Sequence, residues 1–186
     1  EITWVTGVQT CALPICVIPT DASMTGARPK FDPLPSMEDP TVCENAIKAV
    51  LATIRSLPYS PAPFLAAIST TGISTTRDVP YLLLPIYHGM LKVPHKDKRA
   101  MEAHIVGAGP LLGGFTIVRP TLLTDGEEKG ADRIKVGDES KPAMGFTVSR
   151  KDVGAWIYRE LVASDARRWT GGEGHVDVVV QQVQTV

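Results

Sequence analysis

The chain has 186 residues, of which 44% are hydrophobic and 21% charged, with a formal net charge of −1. That length supports one domain with a real core, and the balanced charge argues against nucleic acid or an anionic membrane surface as a partner. No apolar run approaches the ~20 residues that span a bilayer, and no basic segment leading into an apolar stretch marks a signal peptide. A cytoplasmic protein is the expectation.

Val5 to Ile15 (VTGVQTCALPI) resembles the in-frame translation of a common short-read sequencing adaptor more than any protein motif, and Glu1-Ile2 match the bases that precede it. Residues 1–16 are therefore expected to be a non-native scar, and 17–186 the native chain. The competing reading makes Val5-Thr-Gly the first strand of a nucleotide-binding fold. A glycine-rich turn and a helix should then follow, whereas the chain runs into Gln9-Thr-Cys-Ala-Leu-Pro14. Cys11 and Cys16 belong to the scar and its junction, so only Cys43 remains, which fits a reducing compartment. Cys43 is expected to be a small core residue near a helix start.

From Arg28 to Met37 the prolines at 29, 33 and 35 predict a loop. Asp39-Pro40 predicts a helix start, with aspartate as N-cap and proline first in the helix; Thr41-x-x-Glu44 offers a second capping pattern one step on. Cys43, Ile47, Val50, Leu51 and Ile54 recur at helical spacing, ending near Ser56 before Pro58. Phe64 to Ile68 is continuously apolar, the pattern of a strand covered on both faces. Leu82 to Lys92 and Lys96 to Val106 predict two helices. Phe115 to Val118 predicts a buried strand stopping at Arg119-Pro120. Arg133 to Val136 predicts a small strand, and Ser149-x-x-Asp152 a capped helix through Val162 with Val153, Ile157 and Leu161 on one face. Val176, Val178 and Val180 alternate like a final strand, and Gly171 to Gly174 reads as a connector. Strands separated by helices predict an α/β fold on a parallel sheet.

Three places could carry chemistry. Ser69-Thr-Thr-Gly-Ile-Ser74 follows the strand at 64–68, where a hydroxyl can bond a substrate carbonyl; the same residue types also make an ordinary turn. In a helix Lys98 shares a face with Met101 and Ile105, while a snorkelling, solvated lysine beside Lys96 and Arg99 is the plainer reading. The loop after Val118 opens where ligands of open α/β sheets sit.

Phe115-Thr-Ile-Val-Arg-Pro-Thr-Leu-Leu-Thr-Asp-Gly126, together with Ser149-Arg-Lys-Asp-Val-Gly-Ala-Trp-Ile157, resembles the C-terminal half of the atypical short-chain dehydrogenase/reductases, the NmrA-like NAD(P)-binding proteins. The resemblance covers about residues 22–165. It implies an incomplete Rossmann-like parallel sheet with flanking helices, lacking the first βαβ units, and NAD(P) as cofactor of the intact parent, with binding by this piece in doubt. It also implies a small-molecule substrate and an exposed sheet edge that invites self-association. By resemblance Ser69 and Lys98 are catalytic. Ser23, Thr25, Gly26, Thr70, Lys98, Pro120, Thr121, Leu122 and Leu123 are cofactor-binding, with Tyr87 and His95 on the substrate side and no metal. Arg119 matches a structural arginine, expected to pair with a buried acid. One departure stands out: the family pattern is Tyr-x-x-x-Lys, and four residues before Lys98 stands Pro94. That leaves two expectations, an oxidoreductase piece inactive by itself for want of the dinucleotide fingerprint, or a piece of a non-catalytic redox sensor.

Overall fold

The computed structural model describes residues 15–18, 29–31, 35–37, 39–58, 60–83, 91–163 and 179–185. In chain order its elements are β1 (Ile15–Ile18), β2 (Pro29–Phe31), β3 (Pro35–Met37), α1 (Val42–Ser56), β4 (Phe64–Ile68) and α2 (Lys92–Gly107). Then follow β5 (Gly114–Pro120), β6 (Leu122–Thr124), β7 (Ile134–Gly137), β8 (Thr147–Ser149), α3 (Arg150–Ile157) and β9 (Val179–Thr185). A five-stranded sheet has the order β1-β4-β5-β9-β7. Its first four strands run parallel and β7 runs antiparallel to β9. The fold is Rossmann-like α/β, a mostly parallel sheet between helical layers.

The apolar runs of β4 and β5 make sense once both faces are followed. Leu65, Ala67, Phe115 and Ile117 pack against Cys43, Ile47, Leu51 and Ile54 of α1 and Met101 and Ile105 of α2. The alternate residues, Phe64, Ala66 and Val118, pack against Val148, Val153, Trp156, Ile157 and Leu161. A strand covered on both sides has no use for a polar alternation. Each large side chain buried there contributes about 1.5–3 kcal/mol.

Several boundaries differ from expectation. Arg28 to Met37 holds the antiparallel pair β2–β3 rather than a loop; Pro29 and Pro35 each stand first in their short strand, where proline is tolerated. α1 begins at Val42, with Thr41 at the N-cap making no side-chain cap bond. Asp39 instead accepts from the backbone N–H and hydroxyl of Thr41, and Glu44 turns outward to Lys48 and His104. α2 begins at Lys92 rather than Lys96. Pro94 is accommodated because first-turn N–H groups lack intrahelical partners in any case. Of Leu82 to Lys92, Tyr81–Leu83 form a 3-10 turn, and residues 84–90 lie outside the described residues. β5 runs two residues past Val118, through Arg119 and Pro120.

The helix start at Ser149 is as read. The Ser149 hydroxyl accepts from the Asp152 N–H at 2.9 Å, and Val153, Ile157 and Leu161 are all buried. The helix continues past Ile157 as a wider turn, Tyr158–Val162. The small strand falls at Ile134–Gly137, close to the expected Arg133 to Val136. β9 contains Val180, while Val176, Val178 and the connector Gly171 to Gly174 lie outside the described residues.

Candidate functional site

The site is built where β4 and β5 end side by side. Their ladder extends past the strand: Ser69 N–H donates to Val118 O at 2.7 Å and Thr71 N–H to Pro120 O at 3.2 Å. Pro120 offers the ladder only a carbonyl, and Thr71 takes it. Ser69 is 5% exposed and Thr121 3% exposed, yet neither hydroxyl has a hydrogen-bond partner among the described residues. Leaving a buried polar group unmade costs about 1–3 kcal/mol. A native fold tolerates such orphans chiefly where a ligand or ordered water completes them.

α2 delivers the ammonium. Lys98, Met101 and Ile105 share its inward face and are buried, so Lys98 reaches the sheet rather than snorkelling. Its Nζ donates to Ile68 O at 3.1 Å, the carbonyl immediately before Ser69.

The loop after β4 is held from several directions. Gly72 sits at φ +84°, a conformation that favours glycine, and its N–H donates to both oxygens of the buried Asp78 carboxylate at 3.0 Å. Asp78 also accepts from the Ser74 hydroxyl at 2.8 Å. Arg119, on β5, makes a paired contact with Glu102 of α2 at 2.9 and 2.6 Å. It also reaches Ser74 at 2.8 Å and Glu139 at 2.6 Å. Glu139 in turn accepts from the Thr75 N–H and hydroxyl. Arg119 is thus the paired structural arginine that was expected, and it also ties the Ser69 loop to α2. Burial alone would raise the Glu139 carboxyl; Thr75 and the Arg119 guanidinium outweigh burial and hold it below its ordinary value of 4.5.

Ser69, Lys98, Pro120 and Thr121 are therefore brought to one strand end. Thr70 is half-buried, its hydroxyl bonding Thr71 O. Leu122 is exposed, and Leu123 packs against the α3 layer. His95 is buried in the first turn of α2, three residues before Lys98. Ser23, Thr25, Gly26, Tyr87 and His88 lie outside the described residues. Among the described residues no group of His, Cys, Asp and Glu is arranged to hold a metal, and no helix is long and apolar enough to cross a membrane.

Sequence reasoning missed Asp97, which caps α1 from the neighbouring helix. Its two oxygens accept from Cys43 N–H and Glu44 N–H, each at 2.9 Å. Nothing local announces a cap supplied from 54 positions away. Glu102 was legible in principle, since it stands four residues after Lys98 on the same inward face.

Cys43 is more than a core filler. Burial pushes its thiol up to about 11; the Lys98 ammonium opposes that, and the Asp97 carboxylate adds to it. In a Cys11→Ser/Cys16→Ser background, Cys43 is expected to react with a disulfide reagent at pH 8 at least tenfold more slowly in the folded chain than in denaturant. Equal rates would contradict the burial and electrostatics described.

The family model described as NAD(P)H-binding matches residues 64–163. The chain is 48% identical over 141 residues to "Reductase pytE" of Aspergillus terreus, covering 69% of this chain and 54% of that protein. It is 34% identical over 154 residues to "Oxidase pynE" of Aspergillus niger, covering 71% and 55%. The chain thus spans about half the length of these curated relatives. Among solved structures, a wide-type short-chain dehydrogenase/reductase from Veillonella parvula in complex with NADP superposes with a TM-score of 0.55 at 18% identity, over 78% of this chain and 58% of that one. A likeness at that identity concerns the fold. The matched stretch opens on β4 and closes at the end of the helix capped by Ser149, so it carries Ser69, Lys98 and Thr121 together, and by it the chain belongs to the NAD(P)H-binding family of oxidoreductase-like Rossmann proteins.

Proposed function

We propose that this chain carries the reacting end of an NAD(P)-dependent oxidoreductase acting on a carbonyl-type substrate. The observation that carries the reading is the Ser69 hydroxyl, buried and without a partner among the described residues at a strand's carboxyl end, one residue beyond the carbonyl that anchors Lys98. These residues fit a nicotinamide cofactor. Lys98 suits its ribose hydroxyls, and the orphaned Thr121 hydroxyl and the strand-end backbone at 120–123 suit its carboxamide. The cofactor, when bound, supplies or accepts hydride. Ser69 donates a hydrogen bond to the substrate carbonyl oxygen, stabilising charge as it develops there. Lys98 favours the anionic side of any proton donor beside it. Pro94 precludes a phenolic acid four residues before Lys98, so the proton comes from water or from His95 one turn earlier.

The dinucleotide fingerprint grips pyrophosphate with a glycine turn and a helix N-terminus, and the motifs read in this chain do not include it. The proposal therefore assigns full activity to a longer protein of the relatives' length and low turnover to residues 17–186 alone. NADPH titration and a carbonyl-substrate screen on both forms test it. In the longer form, Ser69→Ala should lower turnover roughly ten- to a hundredfold, the worth of one hydrogen bond to a developing charge, with cofactor affinity kept. Lys98→Met should weaken NADPH binding roughly tenfold or more. Absence of nicotinamide-cofactor binding by the longer form would sink the reading, and robust turnover by residues 17–186 would overturn its second part.

Pro94 favours a second reading, a non-catalytic NAD(P)-binding redox sensor. Tight cofactor binding with no turnover across the screen would select it.

A further inference from the structure

We propose that Arg119 is a positioning residue for Lys98: by holding the Glu102 carboxylate, it keeps the Lys98 ammonium at the strand end instead of one helical turn away. This rests on the functional reading above, in which Lys98 serves the cofactor.

α2 carries an acid on each side of its lysine. Asp97 precedes Lys98 directly, and Glu102 follows it by one turn. Residues four apart on a helix have Cβ atoms about 5–6 Å from each other, close enough for a lysine and a glutamate to pair. Lys98 and Glu102 are each 8% exposed, and a charge pair shielded from water attracts more strongly than the same pair at the surface. Such a pair would draw the ammonium back along the helix, away from the Ile68 carbonyl and the Ser69 hydroxyl beyond it.

The fold commits both acids to other donors. The two oxygens of Asp97 accept from Cys43 N–H and Glu44 N–H, each at 2.9 Å. Those of Glu102 accept from Arg119 Nε at 2.9 Å and Nη2 at 2.6 Å. A planar guanidinium matches a carboxylate with two parallel bonds, which an ammonium cannot equal. Arg119 is itself steadied through Nη1, which donates to Ser74 and Glu139. Lys98 Nζ meanwhile donates to Ile68 O at 3.1 Å and lies beside the Cys43 thiol, which burial holds protonated. A carbonyl and a neutral thiol orient an ammonium without cancelling its charge, whereas a carboxylate would cancel it.

The test compares the full 186-residue chain with Arg119→Met, Arg119→Lys, Glu102→Gln and the double variant Arg119→Met/Glu102→Gln. Each is followed by crystal structure without ligand and by calorimetric titration with NADP+. In Arg119→Met, Lys98 Nζ is expected on Glu102 and off Ile68 O, with NADP+ bound roughly tenfold more weakly or worse. In Glu102→Gln and in the double variant, Lys98 should stay on Ile68 O, with affinity within about threefold of the wild type. That asymmetry distinguishes positioning from support, because an ion pair that only braced the fold would cost affinity whichever partner was removed. Arg119→Lys offers Glu102 a single ammonium in place of the fork, so it should fall between, and it carries the comparison if Arg119→Met does not fold. Lys98 unmoved on Ile68 O in the Arg119 variants would overturn the proposal, as would an equal loss of affinity in Glu102→Gln. If no form of the chain binds NADP+ yet Lys98 moves to Glu102 when Arg119 is replaced, the positioning stands and the cofactor reading falls. If NADP+ binds and Lys98 does not move, the positioning falls and the cofactor reading stands.

Discussion

Replacing Arg119 by alanine is expected to lower stability by about 3–5 kcal/mol, the range for breaking a buried ion pair from one side, and to do so without creating a large apolar cavity. Arg119 is buried between Glu102 and Glu139 and holds three bonds to those carboxylates. Truncation leaves the buried Glu102 carboxylate with neither its countercharge nor its two N–H donors. Most natural domains have only about 5–15 kcal/mol in hand, so the variant should unfold at a much lower urea midpoint. Arg119→Lys should fall between, because an ammonium cannot make the paired contact with Glu102. Glu102→Gln combined with Arg119→Met should recover much of the loss, since removing both charges removes the uncompensated one. The acid dependence has a definite sign. Glu139 is held below 4.5 in the fold, so its contribution is complete above that value and fades as pH falls through the lower folded one. Melting curves from pH 7 to pH 3 should show this fade in the wild type and a flatter profile in Glu139→Gln. A wild-type chain no more stable than Arg119→Ala at pH 7 would contradict the account. Because Arg119 and Glu139 also hold Ser74 and Thr75, the loss should reach the Ser69 loop, and small displacements of an aligned group can cost up to about 10²-fold in rate.

Asp97→Ala should be the next most damaging change, by about 2–4 kcal/mol. A hydrogen bond to a charged group contributes about 1.5–3 kcal/mol, and Asp97 makes two, both to the N-terminal turn of α1. A negative charge there also meets the positive end of the helix macrodipole. Asp97→Asn keeps one acceptor oxygen and should recover part of the loss. A second readout separates this from general loosening. Asp97 helps to raise the Cys43 thiol, so the alanine variant should expose a more acidic, faster-reacting Cys43 at temperatures where it remains folded. Unchanged thiol reactivity together with unchanged melting would remove Asp97 from its assigned place. The same carboxylate sits next to Lys98 on α2, so the residue that fixes where α1 begins also fixes the helix that presents the ammonium.

Elements governed by local chemistry were legible from the residues alone. The continuous apolar run at 64–68 and the Phe-Thr-Ile-Val stretch at 115–118 mark strands because both faces of the sheet are covered. Ser149-x-x-Asp152 marks a helix start because the donor and acceptor are three residues apart. Lys98 shares a helical face with Met101 and Ile105, but spacing alone favoured a solvated lysine, and it took the fold to show it buried against the sheet. What escaped depended on partners far along the chain. Asp39 looked like the cap of α1, but the carboxylate of Asp97 in α2 reaches those N–H groups first. The helix expected from Lys96 begins at Lys92, because a first turn has no hydrogen bond for Pro94 to break. Asp78 gave no signal, because its value lies in facing Gly72 across a loop whose shape only the fold defines. The site residues were named through a family resemblance; what the geometry adds is the burial of Ser69 and Thr121 and the anchoring of Lys98.

The order of strands across the sheet has a consequence for how the chain assembles. β5 is buried along its whole length, yet one of its flanks is closed by β9, which emerges in synthesis only after β6, β7, β8 and α3. Until β9 docks, the ladder groups of Thr116 to Pro120 that it will occupy stand open, and an open apolar strand edge is a template for another chain. Closing it needs a contact distant in sequence, which places it among the slow events of folding. Expression conditions that slow aggregation more than they slow folding, such as lower temperature, should therefore raise the soluble yield out of proportion to any change in final stability.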